Sequence, residues 1–138
     1  MKTHTVQTVF NKGMAFTSHI NEHEVLMDTS AEDDGENSGP SPKRLMLASL
    51  AGCTGMDIVS ILNKMKVAFS DLKIDVHASL TTEFPRIYNF VKITYKIKLA
   101  EEDKTKMAKA VNLSQEKYCG VSAMFRTFAK VDTEIDFL

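Results

Sequence analysis

Tryptophan is absent from this chain of 138 residues, and cysteine occurs only twice, as Cys53 and Cys119. Two cysteines are too few for a tetrahedral zinc site made of thiolates alone or for a secreted scaffold held by disulfides. An excess of either charge is also missing, because 17 lysines and arginines stand against 18 aspartates and glutamates. This balance removes the general electrostatic case for binding nucleic acid or an anionic membrane surface.

Several catalytic and targeting signatures are missing as well. The chain has no GxGxxG, GxxxxGK[ST] or GxSxG motif, so neither nucleotide binding nor serine hydrolysis is supported. Its four histidines form no helical pair of metal ligands, and we expect no metal. The first residues lack an apolar stretch of signal-peptide length, so we expect a cytoplasmic protein with reduced thiols.

What is present is typical of a globular protein. Hydrophobic residues make up 43% of the chain and charged residues 25%, a composition that makes whole-chain disorder improbable. The length fits one domain spanning residues 1–138. Residues 2–28 read as three short strands, and the acidic segment 29–41 is predicted to be a solvated, mobile connection.

A long apolar helix is predicted after this connection. Ser41-Pro42 fits an N-cap followed by proline at the first helical position, and the pattern continues to residues 64–66. Its apolar stretch approaches membrane-spanning length, but Asp57 and several small residues favour a buried helix in a soluble protein. A helix that is apolar nearly all round must be covered on several sides, so we expect a homodimer.

Alternation of apolar and polar residues is clearest in segments 72–81 and 91–99, which predict a long antiparallel hairpin. Acidic residues then open a helix expected over 101–117, followed by a shorter helix over 119–129. Segment 131–137 alternates again and reads as a closing strand. This order of elements indicates an α+β domain rather than a βαβ fold.

The two thiols are the main candidates for chemistry. By itself, Cys53 fits a structural core cysteine, since free cysteine is among the most buried residue types. Cys119 lies at a predicted helix start with Lys117 two residues before it, and both features favour a thiolate. Asp57 lies one helical turn after Cys53, where a structural role is favoured, because a carboxylate would raise the pKa of a neighbouring thiol.

Three segments together resemble the OsmC/Ohr family, in particular an OsmC-like branch with an SxEKYC-type segment. They are Gly39-Pro40-Ser41-Pro42, Ala51-Gly52-Cys53 and Leu113-Ser114-Gln115-Glu116-Lys117-Tyr118-Cys119. The resemblance implies antiparallel sheets wrapped around long cysteine-bearing helices in an intertwined homodimer. It also implies a peroxiredoxin-like oxidoreductase active against oxidative stress, with Cys53 attacking a hydroperoxide, Cys119 resolving the sulfenic acid and an external dithiol as reductant. No cofactor is implied.

Two departures from the family pattern affect the electrostatics. Family peroxidases place a glutamate shortly after the proline that matches Pro42, where this chain has Lys43-Arg44. They also use an arginine from an amino-terminal loop, but the first arginine here is Arg44. Lys43, Arg44 and Lys117 are therefore candidates for electrostatic support, with a surface-facing helix start as the alternative for the first two.

Two functions remain open from the sequence. One is thiol-dependent reduction of organic hydroperoxides by Cys53 and Cys119, which the presence of two thiols favours. The other is a non-catalytic dimer that binds a small apolar ligand near the thiols, which the missing arginine and glutamate favour. Neither function involves nucleic acid or a membrane.

Overall fold

The computed structural model describes residues 1–138, which form two compact units, Met1–Met46 and Leu47–Leu138. The first unit contains a three-stranded antiparallel sheet in the order β1-β2-β3. Its strands are β1 (Gln7–Lys12), β2 (Ala15–Ile20) and β3 (His23–Met27), as the sequence predicts. Whether the chain behaves as the single domain expected from its length stays a prediction.

The acidic loop after β3 is mostly exposed, as expected for a solvated connection, and its mobility stays a prediction. The loop folds around the carboxylate of Asp28, which is only 3% exposed. One oxygen of Asp28 accepts the Thr29 N–H at 2.7 Å, and the other accepts the Ser38 hydroxyl at 2.6 Å and the Ser38 N–H at 3.0 Å. A buried carboxylate with several donors organises the segment locally, which composition alone does not show.

Backbone contacts tighten the same loop. The N–H of Gly35 donates to the Ser30 carbonyl at 2.9 Å, and the N–H of Asn37 donates to the Thr29 carbonyl at 2.9 Å. A Cβ atom at Gly35 would collide with the backbone of Thr29, so only glycine fits at this position. The loop therefore leads into the following helix along a defined path.

The long helix α1 spans Pro42–Lys64 and confirms the prediction. Its buried residues recur every four positions and form one face, consisting of Leu50, Thr54, Ile58 and Leu62. By length and composition α1 could cross a membrane, with mean hydropathy 1.8 over a stretch that is 22% buried. One such helix is weak evidence for a membrane span, because the core helix of a soluble protein passes the same test of length and composition.

A second sheet has the order β4-β5-β6, with β4 (Phe69–Leu80), β5 (Tyr88–Leu99) and β6 (Lys130–Phe137). The β4–β5 pair is antiparallel, which confirms the predicted hairpin. The β5–β6 pair is parallel, so the expectation of purely antiparallel sheets is wrong for this strand. The helices between β5 and β6 carry the chain back across the sheet, as a parallel pair requires.

Two helices, α2 (Lys104–Leu113) and α3 (Gly120–Phe125), form this crossover and are shorter than the sequence predicts. The acidic residues Glu101–Asp103 form a 3-10 turn before α2. A π-helical turn over Ser114–Tyr118 separates α2 from α3. Side chains from α1, β5 and α2 meet in one hydrophobic core of the second unit.

Asp28→Asn is expected to loosen the acidic loop. The hydrogen bonds from Ser38 hold the pKa of Asp28 down at about 2, below the ordinary value of 3.8. Because the folded pKa is depressed, this stabilisation is fully present above pH 3.8 and is lost as the pH falls through about 2. Faster amide exchange at Glu36 and Ser38 in Asp28→Asn at pH 7, measured by NMR, would show the effect. Asp34→Asn, at an exposed position of the same loop, is the control. Equal amide exchange rates at Glu36 and Ser38 in both variants would contradict the role of Asp28.

Candidate functional site

The two cysteines, distant in sequence, meet in the second unit. Cys53 lies midway along α1, and Cys119 immediately precedes α3, where it caps the helix. Their thiols are within hydrogen-bonding contact of one another, and no disulfide joins them in this structure. Cys53 is half-buried, whereas Cys119 is only 3% exposed. The two sulfurs are therefore neighbours in the fold, although 66 residues separate the cysteines in sequence.

The π-helical turn explains how Cys119 reaches this position. Its wider winding lets the Cys119 N–H donate to the Ser114 carbonyl at 2.7 Å. Ser114 and Cys119 are both buried, while Glu116, Lys117 and Tyr118 between them are exposed. Insertions of this kind often occur at functional sites because they redirect side chains that a regular helix would turn away. Here the turn begins at the buried Ser114 and leads directly into the buried Cys119.

Backbone amides from the first turn of α3 face the two sulfurs. The N–H of Ser122 donates to the Cys119 sulfur at 3.3 Å. The N–H of Val121 donates to Cys53 and lowers the pKa of that thiol. Each sulfur therefore has one amide donor, and amide donors stabilise negative charge on sulfur.

Other groups around Cys53 act in the opposite direction. Burial is the largest influence and raises the pKa of Cys53, because it disfavours the charged thiolate. The Cys119 thiol and the Asp57 carboxylate raise the pKa of Cys53 further. The net result is a raised pKa, so this chain by itself favours the protonated thiol at Cys53.

A chain of buried polar side chains lies next to the thiols. The Thr54 hydroxyl is 2.6 Å from the Tyr95 hydroxyl and 2.8 Å from the Ser114 hydroxyl. Ser114 in turn donates to the Asp57 carboxylate at 2.8 Å. Thr54, Tyr95 and Ser114 are fully buried, and no buried side-chain polar atom in the molecule lacks a partner. The chain joins α1, β5 and the π-helical turn through hydrogen bonds.

The direction of this chain follows from the number of protons. A hydroxyl carries one hydrogen, and that of Ser114 is donated to Asp57. Thr54 must therefore donate to Ser114, and Tyr95 must donate to Thr54. Burial raises the pKa of Tyr95, which keeps the phenol protonated for this role. All three hydroxyls consequently point toward the Asp57 carboxylate.

Gln115 and Arg126 close the other end of the chain. Arg126 donates to the backbone carbonyl of Gln115 at 2.7 Å and to its side-chain oxygen at 3.3 Å. Because a guanidinium only donates, the amide nitrogen of Gln115 must face the other way. It donates to the Ser122 hydroxyl at 3.0 Å and the Tyr95 hydroxyl at 3.1 Å, with Thr54 at 3.4 Å.

The candidate positive charges are exposed. Lys43 and Arg44 lie in the first turn of α1, and the turn that carries Cys53 is about 15 Å further along the helix axis. Lys117 is exposed and lies 5.2 Å from the ring centre of Tyr118. A role for Lys43, Arg44 or Lys117 at the thiols stays a prediction.

Sequence analysis missed most of the polar chain. Asp57 was noted, and its bond with Ser114 agrees with the structural role favoured for it. The missed residues all have polar side chains that the fold brings together beside the two thiols: Thr54, Tyr95, Ser114, Gln115, Ser122 and Arg126. The available signal was the polar hydroxyl at otherwise apolar positions, as in Thr54 and Tyr95, because a buried hydroxyl requires a partner.

A small cavity of about 270 Å³ lies on the Asp57 side of the site. Neither cysteine lines it. Its walls combine apolar side chains with a carboxylate and an ammonium group, namely Asp57, Ser60, Ile61, Lys64, Met65, Leu113 and Tyr118. This volume is near the lower end of ligand pockets, so it suits only a small molecule.

Comparison with known proteins identifies the family. Residues 35–134 match the family model described as OsmC-like protein, which covers more than half of the chain and both cysteines. The chain therefore belongs to the OsmC-like family, which confirms the resemblance seen in the sequence. Assignment to the branch with the SxEKYC-type segment stays a prediction.

Individual relatives agree with this assignment. The chain is 31% identical over 102 residues to protein YhfA of Escherichia coli K12, covering 74% of this chain and 73% of YhfA. A hypothetical protein from Aquifex aeolicus VF5 has a TM-score of 0.85 and 27% identity, covering 100% of this chain and 98% of that one. An organic hydroperoxide resistance protein from Elizabethkingia anophelis has a TM-score of 0.71 and 14% identity over 100% of both chains. At that identity the last comparison shows a shared fold.

Asp57→Asn is expected to lower the pKa of Cys53. The change removes a negative charge that raises this pKa and keeps an oxygen that accepts the Ser114 hydroxyl. The pH dependence of iodoacetamide alkylation at Cys53, followed by mass spectrometry of its peptide, reports the shift. Asp71→Asn, at an exposed position of β4, is the control. If the pH midpoint of Cys53 alkylation rises in Asp57→Asn, or shifts by the same amount in Asp71→Asn, the expectation is contradicted.

Proposed function

We propose that this protein reduces organic hydroperoxides with the Cys53/Cys119 pair. The observation that carries the proposal is the contact between the two thiols beside the first turn of α3. Membership of the OsmC-like family supports it, and so does the shared fold with a protein named for organic hydroperoxide resistance.

The proposed cycle balances as follows. The Cys53 thiolate attacks the terminal peroxide oxygen, a sulfur–oxygen bond forms, the oxygen–oxygen bond breaks, and the alkoxide leaves as an alcohol after taking a proton. The Cys119 sulfur then attacks the Cys53 sulfenic acid, and water leaves as the disulfide forms. An external dithiol supplies two electrons and two protons to restore both thiols. No metal or organic cofactor takes part.

The protein contributes to this cycle more by bringing the two thiols together than by lowering the pKa of Cys53. The thiol contact favours rapid closure of the disulfide, which protects Cys53 from further oxidation. The Val121 amide assists the thiolate of Cys53, against the effects of burial, Cys119 and Asp57. We therefore propose that attack on the peroxide is slow at neutral pH unless Lys43, Arg44 or Lys117 supplies positive charge.

The raised pKa of Cys53 also favours a second function. A protonated thiol is a weak nucleophile, and the nearby cavity is partly apolar. The second proposal is a non-catalytic OsmC-like dimer that binds a small apolar ligand near the thiols. Peroxide consumption that depends on Cys53 separates the two functions.

A homodimer is part of both proposals. The exposed side of α1 and the adjoining strand β4 form a broad groove of about 760 Å³, lined mainly by apolar or small residues: Ala51, Gly52, Gly55, Met56, Val59, Ser60, Asn63, Leu72 and Ile74. Met56 is 76% exposed in the middle of it. Contiguous apolar surface of this kind is unfavourable in water, and a second copy of the chain presents the same surface in return. We place this dimer in the cytoplasm, where both thiols stay reduced.

The enzymatic proposal predicts peroxide consumption that depends on Cys53. Reduced wild-type protein mixed with an alkyl hydroperoxide should consume it and form an intramolecular Cys53–Cys119 disulfide, detected by non-reducing mass spectrometry. The rate should rise as the pH increases, because the pKa of Cys53 is raised. Cys53→Ser should fall to the uncatalysed rate, and Cys119→Ser should accumulate the sulfenic acid. Equal slow consumption by wild type and Cys53→Ser would end the enzymatic proposal.

The dimer predicts a change of mass in solution with Met56→Glu. A carboxylate in the middle of the groove would be buried without a partner in the dimer, at a cost of several kcal/mol per ion. Sedimentation equilibrium should give twice the chain mass for wild type and the chain mass for Met56→Glu. Thr127→Glu, an exposed position outside the groove, is the control and should stay dimeric. A monomeric wild type would contradict the dimer.

A further inference from the structure

We propose that Gln115, held by Arg126, is a positioning residue that keeps Cys119 in reach of Cys53. This role rests on the proposed redox function of the thiol pair and adds a residue to it. Gln115 touches neither sulfur and acts through the elements that carry them. It is thus distinct from the two cysteines that react.

The contacts of Gln115 connect both sides of the site. Its amide nitrogen donates to the Ser122 hydroxyl at 3.0 Å, and the Ser122 N–H donates to the Cys119 sulfur at 3.3 Å. The same nitrogen contacts Thr54 at 3.4 Å, and Thr54 directly follows Cys53 on α1. A single amide group therefore links the turn that holds Cys119 to the turn that holds Cys53.

Arg126 fixes the orientation of this amide. It grips the backbone carbonyl and the side-chain oxygen of Gln115 at 2.7 and 3.3 Å. A lysine offers a single point of charge and does not reproduce the planar fork. Because Arg126 lies just after α3, its grip also ties the end of that short helix to the π-helical turn.

The direction of the hydroxyl chain adds a second constraint. Tyr95 has given its only proton to Thr54, so its oxygen is free to accept from Gln115 at 3.1 Å. A side chain that accepts instead of donating would meet a hydroxyl with no proton left to give. Gln115 thus fits the donor end of a chain whose acceptor end is Asp57, and the fit is lost without its N–H groups.

Restricting the two thiols in this way raises the effective concentration of one toward the other. The step affected is closure of the disulfide, in which Cys119 attacks the sulfenic acid of Cys53 and water leaves. The role therefore predicts that loss of Gln115 slows disulfide closure and makes the disulfide less stable.

The test measures the thiol–disulfide equilibrium of the full chain in redox buffers of reduced and oxidised dithiothreitol. Gln115→Met keeps the length of the side chain and removes its hydrogen bonds. It should lower the effective concentration of Cys119 toward Cys53 about fivefold, the factor expected for the loss of about one net hydrogen bond. Gln7→Met, the same change at an exposed position of β1, should leave the equilibrium unchanged.

Arg126→Lys provides a second variant that is expected to fold, because Arg126 is exposed. Like Gln115→Met, it should lower the effective concentration of Cys119 toward Cys53, because the two hydrogen bonds from the guanidinium to Gln115 are lost. Ile97→Val, in the buried core of β5, controls for general loss of stability. An unchanged thiol–disulfide equilibrium in Gln115→Met would overturn the proposal. So would an equal fall of the effective concentration in Ile97→Val, if the two variants lose the same amount of thermal unfolding midpoint.

A peroxide measurement separates this proposal from the proposed function. If wild-type protein consumes no hydroperoxide, the enzymatic proposal fails, while the dithiothreitol equilibrium still decides the role of Gln115. If it does consume hydroperoxide, Gln115→Met should form the sulfenic acid at least as fast as wild type, because a weaker contact with Cys119 lowers the pKa of Cys53. It should also convert more Cys53 to sulfinic acid at high peroxide, because closure is slower. If Gln115→Met forms no more sulfinic acid at Cys53 than wild type does, the result counts against the positioning role.

Discussion

The hydrogen-bonded chain that ends on the Asp57 carboxylate is the constraint on which the site depends. Each buried hydroxyl in it has one proton to give, so the carboxylate at one end sets the direction of every bond up to Gln115. Removal of one member would leave a neighbour buried without a partner, which costs more than an average hydrogen bond contributes. The chain therefore defines one arrangement of α1, β5 and the π-helical turn.

The thiol pair is placed by this arrangement, and its reactivity reflects the same surroundings. Burial and Asp57 raise the pKa of Cys53, while the Val121 amide lowers it. The contact with Cys119 brings the second sulfur close and also disfavours charge on the first. The geometry is thus better suited to forming a disulfide than to holding Cys53 as an anion.

Much of the fold was predictable because its signals are local. Alternation over the hairpin segments specifies strands with one buried face, and proline after Ser41 marks the start of α1. The parallel pairing of β6 was missed, because pairing direction depends on where the crossover helices carry the chain. The hydrogen bonds that fold the acidic loop around Asp28 were missed as well, since charge and small residues describe the surface of the loop but not these donors.

The sequence by itself determined the family, the order of elements and the two candidate thiols, because these follow from residue types, periodicity and short motifs. Only the tertiary structure decided that Cys53 and Cys119 touch, and that Ser114, Gln115 and Ser122 belong to the same site. The physical reason is that hydrogen bonds between distant residues leave no periodic trace in a sequence. A buried hydroxyl signals that it needs a partner, and the packing of helix against sheet determines which partner it finds.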